Sequence, residues 1–106
     1  MAVILLKSIA AGAAGLAYFA TAQYEEAISC SQRALAQNPQ FAPSLRTLAA
    51  SLTHLDRVDE AAEAIPLLLN VDPFLTVEET YRQHRHMPEF ILSRWLRGLS
   101  VAGLPK

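Results

Sequence analysis

Apolar positions along this chain recur at intervals of three and four, the spacing of one helix face. Polar and helix-breaking residues cut the pattern into six stretches. The second, Tyr24 to Gln37, is the clearest: Ala27, Ile28, Ala34 and Leu35 share a face, and Glu25 and Glu26 fall in the first turn, where the helix dipole favours negative charge. Asn38-Pro39 ends it, because proline disfavours helical geometry in the residue before it. A third helix starts at Pro43, where a missing N–H costs nothing, and carries Leu45, Leu48, Ala49 and Leu52 as a core stripe. Asp56-Arg57 breaks the chain before a fourth helix, Val58 to Asn70. Pro66 lies inside that helix and costs about 3 kcal/mol unless the helix bends, so a kink or a shortened helix is expected. Thr76-Val77-Glu78-Glu79 is a capping box that opens a fifth helix, to about Arg85. A last helix runs from Pro88 to about Ala102, with Phe90, Ile91, Trp95, Leu96 and Leu99 on one side and Gly103 as its stop.

The first stretch, Met1 to Ala20, is apolar apart from Lys7 and Ser8, and three readings compete for it. A signal peptide would use Ala20-Thr21-Ala22 as its cleavage site, but its positive charge follows five apolar residues instead of preceding them. A membrane span fails on length: the run from Ser8 to Ala22 is too short, against the roughly 20 residues a bilayer needs. The third reading, a helix from Ser8 to Thr21 with an apolar lead-in, is adopted, and a cytoplasmic location follows from it.

Small residues sit where two helices would touch. Gly15, Tyr18, Ala27, Ala34 and Pro39 are spaced by 3, 9, 7 and 5, and Ala49, Leu52, Ala61, Leu68 and Pro73 repeat the set at the same spacings. The pattern and its period resemble the tetratricopeptide repeat, whose units are about 34 residues long. The likeness covers Ser8 to Pro73. It departs from the family pattern at Ser31, where a large residue is usual (Ile65 in the second copy), and at Ala11, where an aromatic is usual. A third copy would need Gln83 and His86 at the first two markers, and neither fits. More loosely, Tyr18 through the ending LRGLSVAGLP resembles the C-terminal end of bacterial multidomain regulators with adenylate/guanylate cyclase-like or winged-helix domains. No residue for either activity is present.

The resemblance implies an all-α fold: a right-handed superhelical array of antiparallel helix pairs, with repeat one at 8–41, repeat two at 42–75 and a helical cap at 76–106 over the open end. It also implies a groove, lined by the first helix of each repeat, that binds a peptide or helix of a partner protein. The corresponding positions are Ile9, Gly12, Leu16, Phe19 and Ala20, then Arg46, Ala50, Thr53 and His54. Family members that grip a C-terminal carboxylate use a lysine/asparagine set, in whose place Gly12 and Leu16 stand. The first groove wall is thus apolar, unless Leu16 and Phe19 are simply core.

Composition narrows the function further. The chain has 106 residues, enough for one domain, and is 52% apolar and 18% charged, against about 25% charged in ordinary domains. Its mean hydropathy is +0.20. So much apolar surface fits a partner-covered face or self-association as a homodimer, for which Met1 to Leu6, above all Leu5 and Leu6, together with Trp95 are candidates. A net charge of −1 gives no field to draw in nucleic acid. Arg82, Arg85, Arg94 and Arg97, with His84 and His86, read as solvated charge rather than a phosphate site. The lone Cys30 reads as structural. On a helix His84 and His86 would point about 200° apart, too far to share a metal ion. The pairs Glu25–Glu26 and Glu78–Glu79 diverge likewise, and no phased nucleophile or glycine-rich phosphate loop exists. A non-catalytic protein without cofactor is expected.

Overall fold

A computed structural model describes residues 2–106, without the side chains of Ala2, Ile4 and Leu5; the expectation for Leu5 therefore lies outside the described residues. Among these residues the chain is all-helical: α1 (Ala2–Ala20), α2 (Tyr24–Gln37), α3 (Ala42–His54), α4 (Val58–Val71), α5 (Val77–Gln83) and α6 (Glu89–Ala102). The radius of gyration is 12.4 Å. None of these helices is long and apolar enough to cross a membrane. The apolar lead-in expected before Ser8 is itself helical, because nothing from Ala2 to Lys7 breaks a helix. The fourth helix is not shortened at Pro66. That proline is exposed, and the Ala62 carbonyl it leaves without a donor sits on the same wet side.

Consecutive helices pack pairwise, α1 on α2, α2 on α3 and α3 on α4, and α1 also touches α3. Small residues set the distances. A Cβ on Gly15 would lie 3.1 Å from Ser31 Oγ and 3.4 Å from the Ala27 carbonyl. The large residue missing at Ser31 is thus a steric match to Gly15, and Ser31 is fully buried. Ala27, Ala34, Ala49, Leu52, Ala61 and Leu68 are buried in the core, while Tyr18, Pro39 and Pro73 are exposed.

The turns that separate α1 from α2 and α3 from α4 share one geometry, one repeat period apart. Ala22 and Asp56 both adopt left-handed backbone, with φ of 59° and 60°. Gln23 N–H donates to Tyr18 O at 2.9 Å, and Arg57 N–H donates to Leu52 O at 2.9 Å. These bonds close the helix ends as a Schellman-type cap does. A left-handed conformation suits Asp better than Ala, whose Cβ crowds the carbonyl. The α2 and α4 ends match as well: Asn38 N–H reaches Ala34 O and Asp72 N–H reaches Leu68 O.

Beyond Leu75 the pattern changes. Thr76 Oγ1 accepts from Glu79 N–H at 3.0 Å and caps α5. The carbonyls of Pro105 and Lys106 accept from Val77 N–H (2.7 Å) and Glu78 N–H (3.4 Å), tying the C-terminal residues to the start of α5. The helix is shorter than its pattern suggested and stops at Gln83. The last helix, α6, lies chiefly along α3, with lesser contact to α4 and α5. Its inward stripe is Leu92, Trp95, Leu99 and Ala102. Phe90, expected on that side, is 64% exposed. The stripe follows from position: α6 meets α3 at Gly98, and 92, 95, 99 and 102 flank that line of contact at helical spacing.

Gly98 permits this approach. A Cβ there would fall 2.7 Å from Ala50 Cα and 2.9 Å from Ala50 Cβ. Thr53 Oγ1 lies 2.9 Å from Ala49 O and 3.0 Å from Gly98 O, so its one proton holds either carbonyl. His54 Nε2 donates to Arg94 O at 2.8 Å; a carbonyl only accepts, so Nε2 carries the proton. From the same turn the Arg94 guanidinium reaches the end of α1. It donates to Phe19 O (3.3 Å), Ala20 O (2.8 Å) and Tyr24 Oη (2.7 Å). Its carbon lies 5.3 Å from the centre of the Phe19 ring. A cation here also meets the negative end of the α1 dipole. Arg94 is therefore a brace, not the solvated charge its sequence context suggested.

Two substitutions test this docking. Gly98→Ala gains up to about 1 kcal/mol of helix propensity, yet overpacking costs about 1–3 kcal/mol. The atoms it meets include Ala50 backbone, which cannot swing aside, so the clash wins. A fall in the urea midpoint with unchanged slope is expected; a midpoint at or above the parent's would refute the close approach. Arg94→Met is expected to cost about 2 kcal/mol, the scale of hydrogen bonds to a charged group. Arg94→Lys should recover less than half, because one ammonium cannot serve three divergent acceptors. Equal stability of all three proteins in urea melts would remove the brace.

Candidate functional site

The groove positions divide into two sets. Phe19 and Ala50 are fully buried. Phe19 packs edge-on to Tyr24 at 5.5 Å and tilts against His54 at 5.8 Å, while Tyr24 and His54 stack at 5.0 Å with an interplanar angle of 10°. Ala50 lies under Gly98, and Thr53 and His54 bond to the α6 backbone. At that end α6 and its Arg94 occupy the space between α1 and α3. Ile9, Gly12, Leu16 and Arg46 remain together at the other end, where they line an open cleft of about 290 Å³.

Four segments build the cleft. Ile9, Gly12, Ala13 and Leu16 supply one α1 face. Gly12 has no Cβ because the Phe41 ring lies against it: a Cβ would come within 2.7 Å of Phe41 Cε2. Phe41, Pro43, Arg46 and Thr47 supply the beginning of α3, and Trp95 comes from α6. His84, His86 and Met87 come from the connection between α5 and α6. Sequence reasoning missed Phe41, Thr47 and Met87, since only the return of α6 brings the connection beside α1. Trp95, a candidate for self-association, is only 2% exposed and forms part of the core behind the cleft. Leu6, the other such candidate described, is 64% exposed.

The cleft is electrically lopsided. The Arg46 guanidinium carbon sits 5.4 Å from the centre of the Trp95 ring. Arg46 Nε and Trp95 Nε1 are both buried without a hydrogen-bond partner among the described residues. Burial lowers the Arg46 pKa, opposed by the field of Asp72, and the guanidinium stays charged because its ordinary value is so high. No ion pair to Arg46 forms among the described residues. His84 Nδ1 lies 2.8 Å from Thr80 O and donates to it, and the His84 ring packs edge-on against Trp95 at 4.9 Å. Burial, with the charges of Arg46 and His86, lowers the His84 pKa despite that hydrogen bond. None of the residues lining the cleft is acidic.

His84 and His86 do not stand on opposite sides of a helix, because α5 has already ended; their ring centres are 6.1 Å apart. Among the described residues, no three His, Cys, Asp or Glu side chains gather as a metal ion would require. Cys30 is buried and accepts from Arg33 Nη2 at 3.1 Å. A larger trough, about 490 Å³, runs between α1 and α2 over Ala10, Ala11, Ala14 and Ala36, rimmed by Lys7 and Arg33. It offers apolar surface but no buried polar group, so the cleft holds the more specific chemistry. Compared with known proteins, the chain matches no family model, no curated protein and no solved structure.

Proposed function

We propose that the chain is a non-catalytic protein–protein interaction scaffold of tetratricopeptide type, a right-handed array of two antiparallel helix pairs with a helical cap. It binds a peptide or helix of a partner protein in the part of the groove that α6 leaves open. The repeat reading is supported by the matching turn geometry at Ala22 and Asp56, one period apart, together with the small-residue spacing. The binding reading rests on one observation: an apolar cleft between α1, α3 and α6 holds the Arg46 cation with no acidic residue in its lining and no ion pair to Arg46 among the described residues. Apolar walls supply the affinity of a helix-in-groove contact, and a few placed polar groups supply orientation. A cytoplasmic location and a place at the end of a larger bacterial signalling protein belong to the same proposal.

Peptides selected from a random phage-displayed library should bind with micromolar Kd by calorimetry. Leu16→Glu, on the half-buried cleft wall, should weaken them at least tenfold while leaving the circular dichroism spectrum intact. Selection of no peptide, or equal binding by the variant, would overturn the reading.

Self-association is the second reading, favoured by Val3 and Leu6, which are 63% and 64% exposed on α1. Light scattering over a hundredfold concentration range should then show a homodimer that Leu6→Glu converts to monomer. A parent protein monomeric throughout would eliminate this alternative.

A further inference from the structure

We infer that the cleft recognises an internal acidic side chain, a glutamate or aspartate flanked by apolar residues in the partner segment. The inference rests on the interaction reading above and names the group that such a segment must carry.

Charge complementarity sets the sign. Arg46 brings its cation to the cleft, beside the imidazoles of His84 and His86, with no carboxylate among the lining residues. Arg46 lines the cleft and forms no ion pair among the described residues, and its Nε has no acceptor among them. An unpaired guanidinium favours an acceptor, and a carboxylate is an acceptor-only group able to meet several donors at once. A neutral amide would bring N–H groups of its own against these donors. Asp72 acts on Arg46 only through its field and forms no ion pair with it.

Shape sets the surroundings of the charge. Ile9 and Leu16 both line the cleft and stand seven residues apart on α1, about 10 Å along the helix axis at 1.5 Å per residue. Phe41 and Met87 add apolar surface from other segments. A body that touches apolar wall along this length carries its charge between apolar groups rather than at a chain end. A volume of about 290 Å³ holds a few side chains, not a folded surface.

The protein's only tryptophan, Trp95, lines the cleft, so its fluorescence reports occupancy directly. Two pools of heptapeptides, blocked at both ends by acetyl and amide groups and apolar at the positions flanking the centre, would be titrated against the whole chain. One pool has glutamate at the centre and the other glutamine. The glutamate pool should bind at least tenfold tighter, and the advantage should shrink in Arg46→Gln and in high salt. Because the comparison changes only the peptide, it does not depend on how the variant folds. Equal binding of the two pools would overturn the acidic assignment and leave the interaction reading standing. Binding by neither pool would overturn both. A glutamine pool with a free C-terminus that matched the glutamate pool would move recognition to a chain end, and octanoate binding as well as the glutamate pool would reassign the cleft to small acids; either overturns the inference.

Discussion

The approach of the α6 backbone to α3 at Gly98 and Ala50 governs the rest of this molecule. Two helices packed through ordinary side chains stay about 8–10 Å apart, but here one position has no side chain and its neighbour only a methyl. That closeness puts the Gly98 carbonyl within reach of Thr53 and the Arg94 carbonyl within reach of His54. It presses Leu92, Trp95 and Leu99 into a core that α3 and α4 alone would leave open. It also fixes where the connection from α5 must pass, and hence that His84, His86 and Met87 stand opposite α1. The cleft is the volume that α6 does not fill.

Two arginines show opposite solutions to the same problem. Arg94 takes its charge to three acceptors at the α1 end, so desolvation is offset by hydrogen bonds and by the helix dipole. Arg46 has the flat face of Trp95 instead, a contact worth about 0.5–1 kcal/mol at exposed sites and more where water is excluded. Stacking serves the face of a guanidinium but satisfies none of its N–H groups, which lie at the edge. The structural role of Arg94 is complete within the chain; that of Arg46 is not.

What could be read from the sequence was what local residues decide. The second helix runs over the residues its pattern gave, the chain breaks after Ala20 and around the expected Asp56-Arg57, and Thr76 caps the fifth helix, because each depends on neighbours a few positions away. The first helix was set too short, since an apolar run looks the same as a lead-in or as a helix. The path of α6 was not legible. Gly98 reads as a weak helix former until Ala50 is placed beneath it, and Phe90 is as apolar as Leu92 until the line of contact is known. The groove positions were assigned by spacing alone, which cannot reveal that the chain's own last helix lies over Ala50, Thr53 and His54. Arg94 looked like surface charge for the same reason: the acceptors Phe19, Ala20 and Tyr24 lie near the opposite end of the chain.

The two proposed uses of the surface are not independent, because Ile9 belongs to both. It lines the cleft and is 47% exposed, and it follows Leu6 by three residues on the same side of α1, as Leu6 follows Val3. A second copy seated on Val3 and Leu6 would extend over Ile9 and narrow the mouth through which a partner segment enters. A segment held against Ile9 and Leu16 would in turn remove part of the apolar stripe that a second copy needs. Occupancy of one therefore opposes occupancy of the other, and by linkage each lowers the apparent affinity of the other by the same factor. If both proposals hold, self-contact would give way to partner contact as the partner's concentration rises.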